Sequence, residues 1–555
     1  MSGLFQNQTL QLGEGLQPFP ILKGGKRNTM KILVSDQLEQ SCIDILLNEG
    51  FEVVNKPGIP ADELKNIIGQ YDGLIVRSAT KVNADVISRA TKMKIIGRAG
   101  TGVDNIDVAA ATRKGILVMN TPGGNTISAA EHTVSMLLSL ARNIPQAHGS
   151  LVQGKWDRKK YTGVEVFEKT LGVVGLGKIG REVASRCQAF GMKVIGYDPV
   201  LSSEVAAKLS IELVSLEELY RRSDFITVHT PLSKETKGLL NDETLAKCKR
   251  GVRVVNCARG GIIDEKSLLR ALHSGQVGGA ALDVFEEEPP KNNPLLQHER
   301  VVVTPHLGAS TEEAQEKVAM QIAHQIADAL KGRGYVGLVN GAALQLTMNE
   351  GLRPYATLAE KLGSLAAQLA SGKIKNVTVA ASGELLVASM ELMKAGVLKG
   401  ILSHVLPEPV NFVNAPFHAS EMGLVVSEQR EAASENFTNL LRLRLQTESG
   451  EREIAGTVYG TSAIRLVKID GFRIELNPEG YLLIYNNIDK PGMLARVGSI
   501  LALHNVNIGG VSLGRTAIGA KALTVMNIDS DIPAPAMSEL LSQDGITNLK
   551  VVRLD

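Results

Sequence analysis

Residues Thr170 to Pro199 carry the spacing with the clearest chemistry. An apolar run (Leu171, Val173, Val174) leads into Gly175-Leu176-Gly177-Lys178-Ile179-Gly180. Helical spacing follows through Val183, Ala184 and Phe190, Gly191 ends it, and a second apolar run stands at Val194–Ile195. The order reads strand, turn, helix, strand. Gly175 permits the tight turn, Gly177 lets a pyrophosphate approach the backbone, and Gly180 lets the helix lie close on the sheet. The N–H groups and positive end of that helix favour a diphosphate. Asp198 ends the second strand, 198 − 180 = 18 residues past the last glycine. A carboxylate there accepts hydrogen bonds from both ribose hydroxyls and repels a 2′-phosphate, so the spacing predicts NAD in preference to NADP.

Two more residues have the type and place for proton transfer and carboxylate binding. His306 follows the apolar strand Val301-Val-Val-Thr304 and Pro305, so it stands at a strand end, where sites of α/β proteins collect. Its imidazole starts near a pKa of ~6.5 and can take a proton around neutrality. Arg259 ends the strand Val252 to Val255, and its planar fork suits carboxylate and carbonyl oxygens. Glu288 sits in the acidic run Glu286-Glu287-Glu288. Each of the three, taken alone, is equally at home as a packed or solvated surface residue.

The elements that position these groups follow from periodicity. Lys31-Ile-Leu-Val-Ser35 reads as a strand, Gln37 to Asn48 as a helix closed by Gly50, and Phe51-Glu-Val-Val54 as a second strand. Gly73–Val76, Lys94–Gly97 and Ile116–Met119 continue the alternation. Strands separated by helices argue for a parallel, helix-flanked sheet. The glycine fingerprint comes only after it, so two doubly wound domains are expected and the cofactor domain is not the first. Glu131 to His148 has helical spacing (Val134, Leu137, Leu138, Ala141, Ile144), and so has Thr311 to Leu330. These two helices would carry the chain into the cofactor domain and back, making that domain an insertion and the crossings a hinge over a cleft.

At 555 residues the chain exceeds a single core. Lys plus Arg (60) nearly balances Asp plus Glu (58), which argues against a nucleic-acid partner. Cys42, Cys187, Cys248 and Cys257 show neither CxxC pairing nor a disulfide density, so a reducing, cytoplasmic compartment is expected. The sequence holds no apolar run of membrane-spanning length. Residues 1–29 are glycine- and proline-rich without periodicity and read as a flexible arm.

Beyond the fingerprint, the chain carries Val76-Arg-Ser-Ala-Thr80, Gly97-Arg-Ala-Gly-Thr-Gly-Val-Asp-Asn105, Val255-Asn-Cys-Ala-Arg-Gly-Gly261, the stretch Asp283 to Pro289, and Pro305-His-Leu-Gly-Ala-Ser-Thr311. In these motifs it resembles the D-specific 2-hydroxyacid dehydrogenases, most closely their long-form, phosphoglycerate-oxidising branch, from about Lys31 to the C-terminus. The resemblance implies a Rossmann cofactor domain (129–306) inserted in a flavodoxin-like substrate domain (30–128 and 307–332). An α+β intervening domain (340–478) and a βαββαβ ACT domain (480–555) follow. It implies oxidation of D-3-phosphoglycerate with NAD, His306 as the base, Glu288 as its partner and Arg259 as the substrate clamp. Matching positions add cofactor contacts at Thr101, the amides of Lys178 and Ile179, Thr230, Cys257, Ala258, Arg259, His306, Gly308 and Ala309. Asp283 matches the acceptor for the nicotinamide amide. Cys257 is expected to contribute its backbone and no thiol chemistry, and no metal is implied.

For the substrate's phosphate the resemblance points to Arg77 and Ser78, with Thr80, Lys81 and Arg98 near. Arg158, in the basic cluster Trp156 to Lys160, either reaches a neighbouring subunit's site or belongs to a solvated loop. Strands are expected at Val377–Ala380, Leu441–Leu445 and Ile464–Ile469 in the intervening domain. The last segment reads strand (Tyr481–Tyr485), helix (Pro491–His504), strands (Val506–Leu513, Ala522–Ile528), helix (Pro535–Leu541), strand (Leu549–Leu554). Pro491 suits the first helical position. Asp489 and Asn507 match effector contacts for L-serine, with Asn487 a departure from the usual pattern; a dimerisation module without effector is the alternative. A homodimer or homotetramer is implied. Glyoxylate or hydroxypyruvate reductases, and NAD-sensing transcriptional corepressors, use the same scaffold and remain open at this point.

Overall fold

A computed structural model describes residues 29–432 and 436–554. The expected arm over residues 1–29 lies outside the described residues, save Thr29. The chain forms two compact units. One holds the chain through Arg98, then Gly102–Asn120 and everything from Ile322; the other holds Ala99–Thr101 and Thr121–Gln321. The second is therefore an insertion in the first.

The first sheet has β1 (Lys31–Val34), β2 (Glu52–Asn55), β3 (Gly73–Val76), β4 (Ile95–Arg98) and β5 (Leu117–Asn120). All its pairs are parallel, in the order β2-β1-β3-β4-β5, the flavodoxin-like arrangement. The middle strand β3 is apolar throughout and every residue of it is buried, as in a parallel sheet covered on both faces.

The inserted unit holds β6 (Thr170–Val174), β7 (Lys193–Tyr197), β8 (Glu212–Leu213), β9 (Phe225–Val228), β10 (Val252–Asn256), β11 (Val277–Leu282) and β12 (Val301–Val303). They form one parallel sheet in the order β12-β11-β10-β9-β6-β7-β8. Two apolar cores, one on each face, hold it. The helix expected over Glu131–His148 is two helices, Thr126–Arg142 and Ile144–Val152. Asn143 between them takes a left-handed φ of 53°, a conformation that asparagine tolerates. Pro145 has no N–H for the carbonyl of Ala141, which accepts from Val164 N instead. The apolar spacing runs on through the break, which is why periodicity alone missed it.

Beyond Ile322 the chain builds β13 (Ile374–Ser382), β14 (Val425–Arg430), β15 (Leu440–Thr447), β16 (Gly450–Tyr459), β17 (Ala463–Ile469) and β18 (Phe472–Leu476). In this mixed sheet β13 and β14 pair in parallel, and the other pairs among the described residues are antiparallel. Helices Arg353–Leu369 and Met390–Leu402 accompany it and cross at glycines. A Cβ on Gly400 would lie 2.0 Å from the Glu360 carbonyl.

The last sheet, β19 (Gly480–Ile488), β20 (Ile508–Arg515), β21 (Lys521–Ile528) and β22 (Ile546–Leu554), is antiparallel in the order β20-β21-β19-β22. With helices Met493–Leu503 and Ala534–Leu541 it is the expected βαββαβ module. Pro491 is not its first helical residue. Gly492 takes φ 88° ahead of the helix, which starts at Met493, and Pro491 belongs to the turn before it. Other element ends shift by a few residues, as hydrogen bonding extends strands beyond their apolar centres.

Candidate active site

Three neighbouring strands deliver the polar groups. β10, β11 and β12 lie side by side in parallel, with Asn256 beside Leu282 and Leu282 beside Val303. Residues just past their carboxyl ends therefore share one edge of the sheet: Arg259 after β10, Asp283 and Glu288 after β11, His306 after β12. Asn256 shapes the first loop, accepting from Ala258 N at 3.0 Å and donating to Arg259 O at 2.8 Å. A Cβ on Gly260 would lie 1.8 Å from the Phe285 carbonyl. Only glycine lets the Arg259 loop close on the loop that carries Glu288.

His306 Nδ1 donates to Glu288 Oε2 at 2.8 Å, and Glu288 Oε1 accepts from Phe285 N at 3.1 Å. Both side chains keep partial exposure. The hydrogen bond from Glu288 raises the His306 pKa above its ordinary value against the opposing pull of burial; the charges of Glu288 and Asp283 add to it, and the guanidinium of Arg259 opposes it. Burial pushes the Glu288 carboxyl up, but the hydrogen bond and charge of His306 outweigh it and hold the carboxyl below its usual range. A charged acid, an imidazole and a guanidinium thus act on one another at the same strand edge.

Asp283 anchors the His306 turn. It is fully buried. Its Oδ1 accepts from the Thr304 hydroxyl (2.6 Å), Leu307 N (2.7 Å) and His132 Nε2 (3.1 Å), and its Oδ2 from Gly308 N (2.9 Å). Its backbone carbonyl accepts from His306 N at 2.9 Å. Both flanks of His306, which holds a left-handed φ of 56°, are tied to this one residue. Burial works against its charge, but the bonds from His132, Thr304 and Leu307 keep the carboxyl ionised below its ordinary pKa. Desolvation pushes the neighbouring Cys257 thiol up to about 12, which removes it as a nucleophile near neutrality.

The glycine turn has the form that a dinucleotide needs. Gly175 takes φ 91°, and a Cβ there would lie 2.6 Å from His229 O. A Cβ on Gly180 would lie 2.0 Å from Gly175 O, so the helix Lys178–Ala189 lies against the strand only because that position is bare. At Gly177 the space is open. Asp198 follows β7 and accepts from Leu176 N (2.8 Å), Val200 N and Leu201 N (2.9 Å each). Burial pushes its carboxyl up, but these amides outweigh that and hold it below the usual carboxylate range. The Oγ1 atoms of Thr230 and Thr121 are buried and meet no partner among the described residues. Thr101 donates to Asn125 Oδ1 at 2.7 Å. Lys178 and Ile179 open the helix, Ala258 lies between Cys257 and Arg259, and Ala309 follows Gly308.

Arg77 and Ser78 stand just past β3, in the other unit. Arg158 lies in an exposed stretch after the helix Ile144–Val152. In the last module Asp489 is already engaged, accepting from Arg515 at 2.8 Å and Gly519 N at 3.3 Å, and Asn507 donates to Asp529 at 2.8 Å. Both bonds to Asp489 fall on Oδ2. Asn487 is buried and accepts from Thr524 at 3.0 Å. Sequence reasoning did not single out Asn256, Gly260, Thr304 or His132. Asn256 and Gly260 lie inside the motif Val255 to Gly261, whereas nothing local marks His132, which projects from a long helix.

Comparison with known proteins bears directly on this arrangement. The family model described as D-isomer specific 2-hydroxyacid dehydrogenase, NAD binding domain, matches residues 134–308. It spans the glycine turn, Arg259, Glu288 and His306. D-3-phosphoglycerate dehydrogenase of Synechocystis is 44% identical over 549 residues, 99% of this chain and 99% of its own. The chain belongs to the D-3-phosphoglycerate dehydrogenase family. Relatives of the same name from Methanocaldococcus jannaschii (43% identical, 95% of this chain and 100% of that one) and Homo sapiens (46%, 91% and 96%) agree. The models for the family's intervening domain and for the ACT domain match residues 351–470 and 481–545. Among solved structures, a Thermus thermophilus protein (35% identical, TM-score 0.52) covers 56% of this chain and all of its own. A glyoxylate reductase from Paecilomyes thermophila (30% identical, TM-score 0.53) covers 56% of this chain and 98% of its own. The cofactor of this domain is NAD.

Proposed function

We propose that the protein oxidises D-3-phosphoglycerate to 3-phosphohydroxypyruvate, the entry step of L-serine biosynthesis. The observation that carries the chemistry is the 2.8 Å pair of His306 Nδ1 and Glu288 Oε2 with Arg259 at the same strand edge. Glu288 holds the Nδ1 proton, so Nε2 carries the lone pair that takes the substrate's hydroxyl proton. As the imidazole becomes cationic, the adjacent carboxylate stabilises it. Arg259 orients the substrate through its carboxylate and the developing carbonyl oxygen. NAD, when bound, supplies the acceptor for the hydride that leaves C2. Asp198 takes the adenine-side ribose, the amides at Gly177, Lys178 and Ile179 take the pyrophosphate, and Thr101, Thr230, Cys257 to Arg259, Asp283, Gly308 and Ala309 line the rest. Arg77 and Ser78 take the substrate's phosphate.

The division into a substrate domain (30–128, 307–332), cofactor domain (129–306), intervening domain (340–478) and ACT domain (480–555) completes the scheme. L-Serine is the proposed ACT effector, and a homodimer or homotetramer the proposed assembly. Exposed Leu151, Val152 and Trp156 support self-association, which would bring Arg158 to a partner's site. The four free cysteines support a reducing, cytoplasmic setting; no helix among the described residues is long and apolar enough to cross a membrane. A glyoxylate reductase accounts only for the part of the chain its structure covers, and leaves the intervening and ACT portions unexplained. Steady-state NADH formation decides: D-3-phosphoglycerate should far outpace unphosphorylated D-2-hydroxy acids in kcat/KM. Equal or reversed preference would replace this function with a reductase of simple 2-oxo acids.

A further inference from the structure

Asp36 lies just past β1, whose parallel pairing with β3 sets Val34 beside Ile75 and brings Asp36 next to the loop Arg77–Thr80. It is only 3% exposed. Its carboxylate accepts from Arg77 N at 2.6 Å, Thr80 N at 3.1 Å and the Thr80 hydroxyl at 2.5 Å. From another side Asn105 Nδ2 donates to Arg77 O at 2.8 Å and Thr80 O at 2.7 Å. The first and last residues of the loop are thus held through both their N–H and C=O groups. Ser78 and Ala79 between them are exposed, and their N–H groups bond to no described residue.

A buried carboxylate is costly unless donors satisfy it, and here the loop supplies them. The satisfied donors are the flanking amides, which leaves those of Ser78 and Ala79, with the Ser78 hydroxyl, for oxygens arriving from outside. Successive N–H groups in a turn form a concavity for an anion. We propose that Asp36, assisted by Asn105, is the positioning residue that shapes Arg77–Thr80 into the receptor for the substrate's phosphoryl group and so sets the preference for a phosphorylated acid. This rests on the assignment of the phosphate to Arg77 and Ser78. Asp36 does not touch the phosphate. It acts through the loop, and its own charge is already covered by hydrogen bonds.

The test compares Asp36→Asn, Asn105→Ala and Arg77→Ala with the full-length wild type, using D-3-phosphoglycerate and D-glycerate as alternative substrates with NAD. An amide at position 36 offers one acceptor oxygen where the loop needs two. The expected result is a rise of about tenfold or more in KM for phosphoglycerate, with kcat/KM for glycerate changed less than about twofold. Asn105→Ala should move the same ratio by a smaller factor. Competition by inorganic phosphate against phosphoglycerate is the second readout, and it should weaken in parallel. Equal losses on both substrates, with phosphate competition intact, would reduce Asp36 to a fold-stabilising residue and overturn the proposal. If Arg77→Ala is selective and the other two variants are not, only the role of Asp36 falls. If Arg77→Ala is itself unselective, the phosphate assignment falls with it.

Discussion

Replacing Glu288 with glutamine separates the charge on His306 from the shape of its surroundings. The pair is 2.8 Å apart, with side-chain exposures of 46% for His306 and 37% for Glu288. Water therefore screens it, and two unit charges at that distance attract by about 1.5 kcal/mol at a dielectric constant of ~80. That energy is available only once the imidazole is cationic, which is the state reached as the hydroxyl proton arrives. Its loss costs roughly tenfold in rate. Glutamine also offers one acceptor oxygen for two donors, His306 Nδ1 and Phe285 N, so kcat should fall tenfold or somewhat more.

The pH profile moves in the opposite sense. Glu288 raises the His306 pKa by favouring the imidazolium, and His306 must be neutral to accept a proton. Oxidation in the wild type therefore rises with pH through that raised pKa. In Glu288→Gln the pKa drops, so the acidic limb of kcat/KM shifts to lower pH while the plateau falls. The assay is NADH formation across pH at saturating NAD. A lower plateau with an unmoved acidic limb would mean that His306 is not the titrating base. No fall at all would mean that Glu288 is not its partner.

Three other substitutions test the frame around that pair. Gly180→Ala puts a methyl 2.0 Å from the Gly175 carbonyl; the helix must shift, costing about 1–3 kcal/mol of stability and weakening NAD binding, read by thermal denaturation with and without NAD. Asp198→Ala removes the carboxylate proposed to select a free 2′-hydroxyl, so the NADP-to-NAD ratio of kcat/KM should rise about tenfold or more; an unchanged ratio would place the ribose elsewhere. Gly260→Ala drives a Cβ to 1.8 Å from Phe285 O and should part the Arg259 and Glu288 loops, so kcat should fall at least about tenfold. Retained kcat there would separate Arg259 from the chemistry.

What could be read without coordinates was local. Glycines at positions 175, 177 and 180 announced their turn because their spacing is local to one strand end and helix start: Gly175 takes φ 91° and Gly180 lies against the Gly175 carbonyl, while the space at Gly177 is open. Alternating strands and helices gave both parallel sheets, since periodicity is a property of one segment at a time. The same locality caused the errors. Apolar spacing passes unbroken through Asn143, and Pro491 looked like a helix start until Gly492 took the left-handed turn.

The convergence of the site lies beyond any segment. Arg259, Glu288 and His306 stand at one edge of the sheet because β10, β11 and β12 are adjacent and parallel, and strand order is decided by packing over the whole unit. His132 reaches Asp283 from a helix 283 − 132 = 151 residues earlier, and Asp36 reaches Arg77 across two paired strands. Neighbours along the chain set which conformations are open to each residue. Which distant groups share a hydrogen bond is settled only when the sheets close their cores, because that is what fixes register and brings strand ends side by side.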